Sequence, residues 1–453
     1  MSLLIIADDL SGAADCAIGF ASAGRSTVVT LASGAATSGA AHTAQILAAD
    51  TDTRRLTPPE AAQRSVEAWQ ALHAPGRRLY KKIDSTLRGN WAAEVAALQS
   101  LAGLAIVAPA FPATGRTLRA GRVLVHGAPL ETTETWQLEG LDKPADVSAM
   151  LEAAGLRTAQ IDVAAVRGAP DALHQRIVAL SRDGIQALIV DAETSEDLLA
   201  LAQVTAAVTE PLFWVASGGL ARELATLHAL FDAVPGRVES AAEPAQQGAI
   251  LILVGSLSAV SERQCAMLRE RAGVEEMIVP PALLRAGRSD RNWAIWQARI
   301  GAQLEASADL LLRIGRDDAF DPAQGAQLST ALAALVAPHF AHVAGLIATG
   351  GETARAMLSE AGIDSLELLA EIEAGVAVAR PCRSPSELHR EPHGLSHDPS
   401  HDSSHDAAPR SSHRPAVVTK AGAFGTEHAL YAAYLHLRKN AGKVMDQPAG
   451  TSE

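Results

Sequence analysis

The chain has 453 residues, of which 48% are hydrophobic and 20% are charged, and its formal net charge at pH 7 is −13. This length exceeds one ordinary hydrophobic core, so two or three domains are expected. The negative charge argues against a nucleic-acid partner, because binding to a phosphate backbone requires a basic surface. The three cysteines form no paired motif, which favours a reducing, cytoplasmic compartment. No apolar stretch is long enough for a membrane span, so no membrane partner is expected.

Short apolar runs alternate with helical patterns in the first half of the chain. The runs have the continuous hydrophobicity of strands that are buried on both faces of a parallel sheet. They cover residues 3–7, 27–31, 45–49, 104–108, 187–190 and 212–215. Helices are expected over residues 13–23, 58–72 and 91–101. This alternation predicts an open, doubly wound sheet, in which functional residues collect at the carboxyl ends of the strands.

The same pattern restarts in the second half of the chain. Strands are expected there over residues 249–254, 345–349 and 416–419. The sequence therefore predicts an α/β protein of two domains, each an open and mostly parallel sheet flanked by helices, with the active site in the cleft between them. The predicted division is a first domain at 1–240, a linker at 241–248 and a second domain at 249–453.

One segment fits neither domain pattern. Residues 383–414 are rich in serine, histidine, aspartate and proline. Histidine-rich tracts can capture divalent ions, so a metal-binding role is one interpretation. The favoured interpretation is a solvated, disordered insertion, because the segment has too little apolar content to fold.

Polar residues follow the first and third predicted strands. Asp8 and Asp9 come directly after the first strand and before a helix. One aspartate could cap that helix, but a second adjacent carboxylate favours binding of substrate hydroxyls or of hydrated Mg²⁺. Arg54 follows the third strand, where it is either a surface residue or a bidentate clamp on a carboxylate.

The densest polar cluster occupies residues 80–90, where two lysines, an arginine, an aspartate and two hydroxyls follow one another closely. Transfer of a phosphoryl group to a hydroxyl requires a group that orients the hydroxyl proton, cations for the growing charge and donors that fix the acceptor. Asp84 suits the first task, Lys82 and Arg88 the second, and Ser85 the third. The alternative is an ion-pair network that only closes the loop.

Three glycine-rich turns in the second half each follow an apolar strand and precede a helix. Backbone amides and the positive end of a helix face an anion in such turns. They are Gly255-Ser256, Gly350-Gly351-Glu352-Thr353 and the turn that begins at Gly422. Any one of them could be a plain tight turn, but together they favour phosphate binding. The chain contains neither a G-x-x-x-x-G-K-[ST] nor a G-x-G-x-x-G motif, which argues against a P-loop enzyme and a dinucleotide dehydrogenase.

Taken together, these motifs resemble those of the four-carbon acid sugar kinase family, and they keep their order along nearly the whole chain. The matching segments are residues 7–13, 52–54, 80–90, 109–116, 255–256, 349–353 and 419–425. The resemblance implies an N-terminal acid-sugar-binding domain and a C-terminal nucleotide-binding domain. It also implies ATP- and Mg²⁺-dependent phosphorylation of a tetronate at its 4-hydroxyl.

The resemblance also implies roles for individual residues. The residues that match the substrate contacts are Asp9, Arg54, Lys82, Ile83, Asp84 and Ser85, to which the charge pattern adds Arg88. The residues that match the ATP contacts are Ser256, Gly350, Gly351, Glu352, Thr353 and Gly422. Asp84, Asp9 and Lys82 are the catalytic candidates, and the choice of base between the two aspartates stays open, as do the metal ligands.

The form of the lysine motif resembles that of the D-threonate branch of the family, so D-threonate is the expected substrate. D-Erythronate and 3-oxo-tetronate are alternatives, because side-chain positions around the substrate are not visible in a sequence. A sensor that binds an acid sugar and a nucleotide without turnover is the alternative outside the enzymes. A homodimer is one option for the oligomeric state.

Overall fold

The computed structural model describes residues 1–31, 43–133, 136–137, 145–231, 248–255, 258–319, 321, 324–382, 414–422 and 425–442. These residues form an α/β fold with a mixed, mostly parallel sheet, which confirms the predicted class. Ser256, the linker except Gly248 and the insertion except Arg414 lie outside the described residues. None of the described helices combines the length and the apolar character that a membrane crossing needs.

The N-terminal half contributes eleven of the described strands and eight of the described α-helices. The strands are β1 (Ser2–Ala7), β2 (Thr27–Thr30), β3 (Ile46–Asp50), β4 (Arg77–Lys82), β5 (Leu104–Ala108), β6 (Arg116–Arg119), β7 (Arg122–Val125), β8 (Ala128–Pro129), β9 (Thr158–Ile161), β10 (Ala187–Val190) and β11 (Leu212–Ala216). The helices are α1 (Leu10–Ser22), α2 (Pro58–Leu72), α3 (Trp91–Ala102), α4 (Val147–Ala153), α5 (Val163–Val166), α6 (Pro170–Arg182), α7 (Ser195–Ala206) and α8 (Gly218–Thr226).

The C-terminal half contributes seven described strands and six described α-helices. The strands are β12 (Ala249–Val254), β13 (Glu275–Val279), β14 (Leu310–Ile314), β15 (Val343–Thr349), β16 (Ser365–Glu373), β17 (Val376–Pro381) and β18 (Ala416–Lys420). The helices are α9 (Ala259–Ala272), α10 (Pro281–Ala286), α11 (Trp293–Glu305), α12 (Gly325–Val336), α13 (Gly351–Glu360) and α14 (Ala429–Gly442).

The strongest sequence patterns form the elements that they predict. The continuous apolar runs of β1 and β12 become central strands that are buried along almost their whole length, with helices packed on both faces. Helix α2 has the predicted bounds. Its start is fixed by Pro58 in the first turn and by Glu60, whose Oε2 accepts a hydrogen bond of 3.0 Å from the Thr57 backbone N–H.

The two halves share one sheet, which differs from the prediction of a separate sheet in each domain. Fifteen strands follow the order β13-β14-β12-β15-β18-β17-β16-β2-β3-β1-β4-β11-β5-β10-β9. The junction is the antiparallel pairing of β16 with β2, in which Leu366 lies opposite Val29. The hairpin of β16 and β17 is absent from the predicted strands, and without it the strands of the two halves form two separate sheets. Strands β6, β7 and β8 form a small second sheet that was also not predicted.

The junction decides how the carboxyl ends of the strands are arranged. Because β16 runs antiparallel to β2, the parallel strands of the two halves run in opposite directions along the sheet. The register of the β16–β17 hairpin is broken twice, and bulges of this kind bend a strand and increase its twist. Residues that follow the carboxyl ends of strands in both halves nevertheless line one cavity. Helix α1 packs on β1, β2 and β3 and also contacts β16, so it bridges the junction.

Candidate active site

A cavity of about 610 Å³ lies where the carboxyl ends of the two halves meet. The N-terminal half contributes residues that follow β1, β3 and β4, and the C-terminal half contributes residues that follow β12, β15 and β18. The predicted site residues that line this cavity are Asp9, Arg54, Lys82, Asp84, Ser85, Arg88, Gly350, Gly351, Glu352, Thr353 and Gly422. Ile83 is buried in the core and is not among the lining residues, so a substrate contact of Ile83 would involve its backbone.

Asp8 and Asp9 are held by one arginine. Arg54 donates from Nε to Asp8 Oδ2 at 2.8 Å and from Nη2 to Asp8 Oδ1 at 3.0 Å. Its Nη1 donates to Asp9 Oδ2 at 3.0 Å. Asp9 also caps helix α1, because its Oδ1 accepts from the Gly12 backbone N–H at 2.8 Å. The capping role considered for this pair of aspartates therefore falls to Asp9, and the binding of substrate hydroxyls or Mg²⁺ stays a prediction.

The Asp8–Arg54 pair is partly buried: the Asp8 side chain is 4% exposed and the Arg54 side chain 23%. Burial by itself would raise the pKa of Asp8, but the charge and the hydrogen bonds of Arg54 outweigh it and lower the pKa below the usual value. The same carboxylates, Asp8 and Asp9, outweigh the effect of burial on Arg54 and raise its pKa. The fork of Arg54 thus binds a carboxylate in the bidentate geometry predicted for it, and that carboxylate is Asp8.

The two lysines of β4 point to opposite faces of the sheet, as neighbouring residues of a strand do. Lys82 lines the cavity, is 5% exposed and makes no hydrogen bond or ion pair with any other described residue. Its Nζ lies 2.9 Å from the position that a Cβ on Gly12 would occupy, so a side chain at position 12 would displace the ammonium group. Lys82 is therefore a buried cation that is directed at the cavity.

Lys81 belongs to a buried network beneath the site. Its Nζ lies 3.0 Å from Glu94 Oε2, and both side chains are fully buried. Glu94 Oε1 accepts from Thr53 Oγ1 at 2.5 Å and from Ser65 Oγ at 3.1 Å. Because Thr53 precedes Arg54 and Lys81 precedes Lys82, this network fixes the two cationic residues of the cavity relative to each other.

The Asp84 carboxylate is bound by its own loop. Arg88 donates from Nε to Asp84 Oδ2 at 2.8 Å and from Nη2 to Oδ1 at 3.1 Å, and Thr86 Oγ1 donates to the same carboxylate. Burial would raise the pKa of Asp84, but the charge and hydrogen bonds of Arg88 outweigh it and hold the pKa well below the usual value. Asp84 is therefore a stable carboxylate and a weak proton acceptor.

The C-terminal half presents glycines to the cavity. Gly350 has a φ of 89° and precedes α13, whose first residue is Gly351. A Cβ on Gly351 would lie 3.0 Å from Asp9 Oδ2, and a Cβ on Gly255 would lie 2.1 Å from Thr353 Oγ1. Side chains at these glycines would fill the space next to the amino end of α13, which is the end of a helix that favours anions.

Ion pairs connect the two halves beside the cavity. Arg355, in α13, donates from Nη1 to Asp50 Oδ2 at 2.5 Å, and its Nε lies 3.2 Å from Asp52 Oδ2. Arg55 of the N-terminal half and Glu352 of the C-terminal half form a second ion pair. Burial raises the pKa of Asp50 to about 7, although the charge of Arg355 opposes this effect.

Several lining residues were not predicted as site residues. They include Asp15, Asp50, Phe111, Arg116, Ser217 and Arg355. Asp50 and Ser217 each stand at or just after the end of a strand, which is a usable signal. Arg355 and Asp15 lie within helices and carry no such signal, because only the tertiary structure turns them towards the cavity.

Comparisons with known proteins agree with this two-part organisation. A model of a sugar-binding N-terminal domain matches residues 3–224, and a model of a nucleotide-binding C-terminal domain matches residues 251–430. The fold and the cavity therefore belong to a protein with one sugar-binding part and one nucleotide-binding part.

Curated relatives identify the family. A D-threonate kinase from Cupriavidus necator is 51% identical over 435 residues, which cover 96% of this chain and 97% of the relative. A D-threonate kinase from Bordetella bronchiseptica is 32% identical, with coverage of 96% and 97%. A 3-oxo-tetronate kinase from Methylobacterium radiotolerans is 30% identical, with coverage of 86% and 94%. The chain belongs to the four-carbon acid sugar kinase family, which confirms the resemblance seen in its motifs.

Solved structures show the same fold. A crystal structure of a Salmonella typhimurium protein matches with a TM-score of 0.73 and 22% identity, and the match covers 95% of this chain and 98% of that one. A crystal structure of a Haemophilus influenzae protein matches with a TM-score of 0.67 and 20% identity, covering 96% and 100%. At this level of identity, the likeness concerns the fold.

The buried network beneath the site can be tested with Glu94→Gln. This change keeps the shape of the side chain but leaves the Lys81 ammonium buried without its counter-charge. We expect a loss of about 3–5 kcal/mol of stability, measured as a lower Tm, and a higher KM for the acid sugar because the loop that carries Arg54 is loosened. The double variant Lys81→Met/Glu94→Gln should recover much of the Tm. An unchanged Tm in Glu94→Gln would contradict the account.

The buried Asp50 carboxyl, which pairs with Arg355, makes the stability of the folded protein depend on pH. Since the folded pKa of about 7 lies above the usual value of 3.8, folding favours the protonated carboxyl. This contribution is complete below the usual value and is lost as the pH rises through 7. Asp50→Asn does not titrate, so the Tm of the wild type should fall relative to that of the variant by about 3 °C between pH 5 and pH 8. A difference in Tm that does not change with pH would count against this description of Asp50.

Proposed function

We propose that this protein is a kinase that transfers the γ-phosphoryl group of ATP to the 4-hydroxyl of D-threonate. The observation that carries the proposal is a cavity shared by the two halves, in which the cationic loop after β4 (residues 82–88) and the glycine turn before α13 (Gly350 and Gly351) line the same space. An acid sugar bound on one side and a triphosphate bound on the other would meet there. The C. necator relative, a D-threonate kinase, supports D-threonate as the substrate.

The acceptor side would recognise the acid sugar through its cations. Lys82 is buried, and its charge acts through space on Asp8, Asp15 and Asp84, but it makes no hydrogen bond or ion pair among the described residues. An anionic group of the substrate or the transferring phosphoryl group would give it a direct partner. Arg88 and Arg54 are already paired with carboxylates, and they would contribute through their remaining N–H donors. Ser85 would add a hydroxyl donor from the same loop.

Of the two aspartates considered as the base, the geometry favours Asp9. The pKa of Asp84 is held well below its usual value by Arg88, which makes Asp84 a poor proton acceptor. Asp9 lies where the two halves meet in the cavity, because a Cβ on Gly351 of the C-terminal half would be 3.0 Å from Asp9 Oδ2. Phosphoryl transfer depends chiefly on positioning and charge stabilisation, so we assign Asp9 the role of orienting the acceptor hydroxyl.

The donor side would hold the phosphates of ATP on backbone amides. Gly350, Gly351 and Thr353 surround the amino end of α13, and Gly422 approaches from the turn after β18. Mg²⁺ usually binds one or two carboxylates together with the substrate phosphates. Among the described residues no group of three or more ligating side chains forms a protein cage for a metal, and Glu352 in the first turn of α13 would supply a carboxylate. Bound Mg²⁺ would balance the charge of the transferring phosphoryl group.

The division into two functional parts is also a proposal. We place the acid-sugar-binding domain at 1–240 and the nucleotide-binding domain at 249–453, joined by the linker at 241–248. Both family models fall within these limits. The shared sheet means that closure over the ligands would have to bend the β2–β16 junction or work through loops and helices beside it.

A coupled assay of ADP release tests the activity. With Mg²⁺ and ATP, we expect turnover of D-threonate with a higher kcat/KM than that of D-erythronate, L-threonate or 3-oxo-tetronate. ATP without an acid sugar is the control for plain hydrolysis. A preference for 3-oxo-tetronate or D-erythronate would overturn the substrate assignment. Binding of both ligands without ADP release would instead favour a sensor.

Two neighbouring lysines provide a matched test of the acceptor side. Lys82→Met should lower kcat/KM for D-threonate by about 100-fold or more, because a preorganised cation is removed from the transition state. Its Tm should fall less than that of Lys81→Met, since Lys82 makes no hydrogen bond or ion pair among the described residues and acts on the carboxylates of the cavity only through space. Lys81→Met should lower the Tm, because Glu94 loses its buried partner. Near wild-type turnover in Lys82→Met would exclude the role assigned to this residue.

A further inference from the structure

Asp15 is a buried carboxylate on the cavity wall that the proposed chemistry does not use. It lies on α1, is 9% exposed and lines the cavity together with Phe111 and Gly218. The amino end of α8, where Ser217 caps the helix, lies next to it. Asp15 therefore belongs to the cavity wall that the sugar-binding half supplies.

The space for this carboxylate depends on a glycine. A Cβ on Gly218 would lie 2.5 Å from Asp15 Oδ2 and 3.2 Å from Cε1 of Phe111. Any other residue at position 218 would push the carboxylate out of its place. The absence of a side chain at this position therefore allows Asp15 to line the cavity.

The hydrogen-bonding capacity of Asp15 is largely unused. The nearest cation, Arg222, directs its fork at Glu371, with Nη1–Oε2 at 3.0 Å and Nη2–Oε1 at 2.5 Å. Its Nη2 lies 3.5 Å from Asp15 Oδ1, which is too long for a well-formed hydrogen bond. Asp15 Oδ1 is buried and accepts no hydrogen bond from the described residues. Burial raises the pKa of Asp15 in spite of the charges of Lys82 and Arg222, as expected for a carboxylate with too few donors.

An acid sugar would supply the hydrogen-bond donors that Asp15 lacks. Oδ1 is enclosed beside Arg222, so a ligand in the cavity would reach Oδ2, which lies next to Gly218 and accepts no hydrogen bond from the described residues. A largely buried carboxylate that is short of donors is costly, and a ligand that brings a donor lowers that cost. A four-carbon acid sugar carries hydroxyls on C2 and C3. Its own carboxylate would be repelled by Asp15, so the hydroxyl-bearing part of the molecule is the part that fits here.

We propose that Asp15 accepts a hydrogen bond from the hydroxyl on C2 or C3 of the acid sugar and is a specificity-determining residue of this site. The proposal rests on the acid-sugar kinase activity proposed above. It assigns to Asp15 the recognition of a hydroxyl that does not react, while the 4-hydroxyl is the acceptor of the phosphoryl group.

A cycle of enzyme variants and substrate analogues tests the assignment. The variants are wild type and Asp15→Ala, and the substrates are D-threonate, 3,4-dihydroxybutanoate, which lacks the 2-hydroxyl, and 2,4-dihydroxybutanoate, which lacks the 3-hydroxyl. We expect Asp15→Ala to lower kcat/KM for D-threonate by about 10- to 100-fold. For wild type, kcat/KM should be lower by a similar factor with one of the two analogues than with D-threonate. On that analogue, the kcat/KM of Asp15→Ala should be less than about threefold below that of wild type, because the same hydrogen bond cannot be removed twice.

Two control variants separate recognition from structure. Glu371→Gln perturbs the same Arg222 without touching the cavity, so it should change kcat/KM by the same factor for all three substrates. Asp15→Asn keeps an acceptor oxygen and should recover part of the activity on D-threonate. The Tm of Asp15→Ala should be unchanged or raised, because an under-compensated buried charge is removed.

The possible failures are distinguishable. Equal losses of Asp15→Ala on all three substrates, or no loss on any of them, would overturn the role of Asp15 while leaving the kinase activity intact. If wild type released no ADP with D-threonate or either analogue, the proposed function itself would fall, and the assignment of Asp15 with it.

Discussion

The pairing of β2 with β16 is the constraint on which the rest of the structure depends. It joins two sets of parallel strands, which run in opposite directions, into one sheet, and both sets contribute residues from their carboxyl ends to the cavity. The cavity exists because of this arrangement, since each half supplies only one of its walls. The ion pairs of Arg355 with Asp50 and of Arg55 with Glu352 then hold the two walls together.

Within the cavity, the charges differ chiefly in how well they are compensated. Asp8 and Asp84 each receive a bidentate arginine and have lowered pKa values, which makes them structural anions that orient Arg54 and Arg88. Lys82 and Asp15 are less well compensated, because they act on each other through space but neither makes a well-formed hydrogen bond with the described residues. Because buried charges need partners, these are the two groups with which a ligand in the cavity would pair.

Much of the acceptor side could be predicted from the sequence because its residues follow apolar strands. Asp9, Arg54 and Lys82 lie at or just beyond the ends of β1, β3 and β4, and parallel strands bring such ends to one edge. The sequence could not show that Asp8 occupies the fork of Arg54, since either a ligand or the protein itself can supply that carboxylate.

The residues that join the halves could not be predicted from local patterns. Arg355 bonds Asp50 across 305 positions of the chain, and nothing in its helix indicates a partner. The hairpin of β16 and β17 is rich in leucine, alanine and glutamate, which favour helices, and pairing with β2 and β18 overrides that preference. The separate sheets expected for the two domains follow from missing this one hairpin.

The central claim is that the cavity delivers a phosphoryl group to a carbon-bound hydroxyl of the acid sugar and not to water. Phosphorus NMR of the reaction mixture with ATP, Mg²⁺ and D-threonate tests this claim most directly. The account predicts a new phosphomonoester resonance that is split into a triplet by the two protons on C4. Inorganic phosphate as the only new resonance, or a doublet from a secondary hydroxyl, would contradict it.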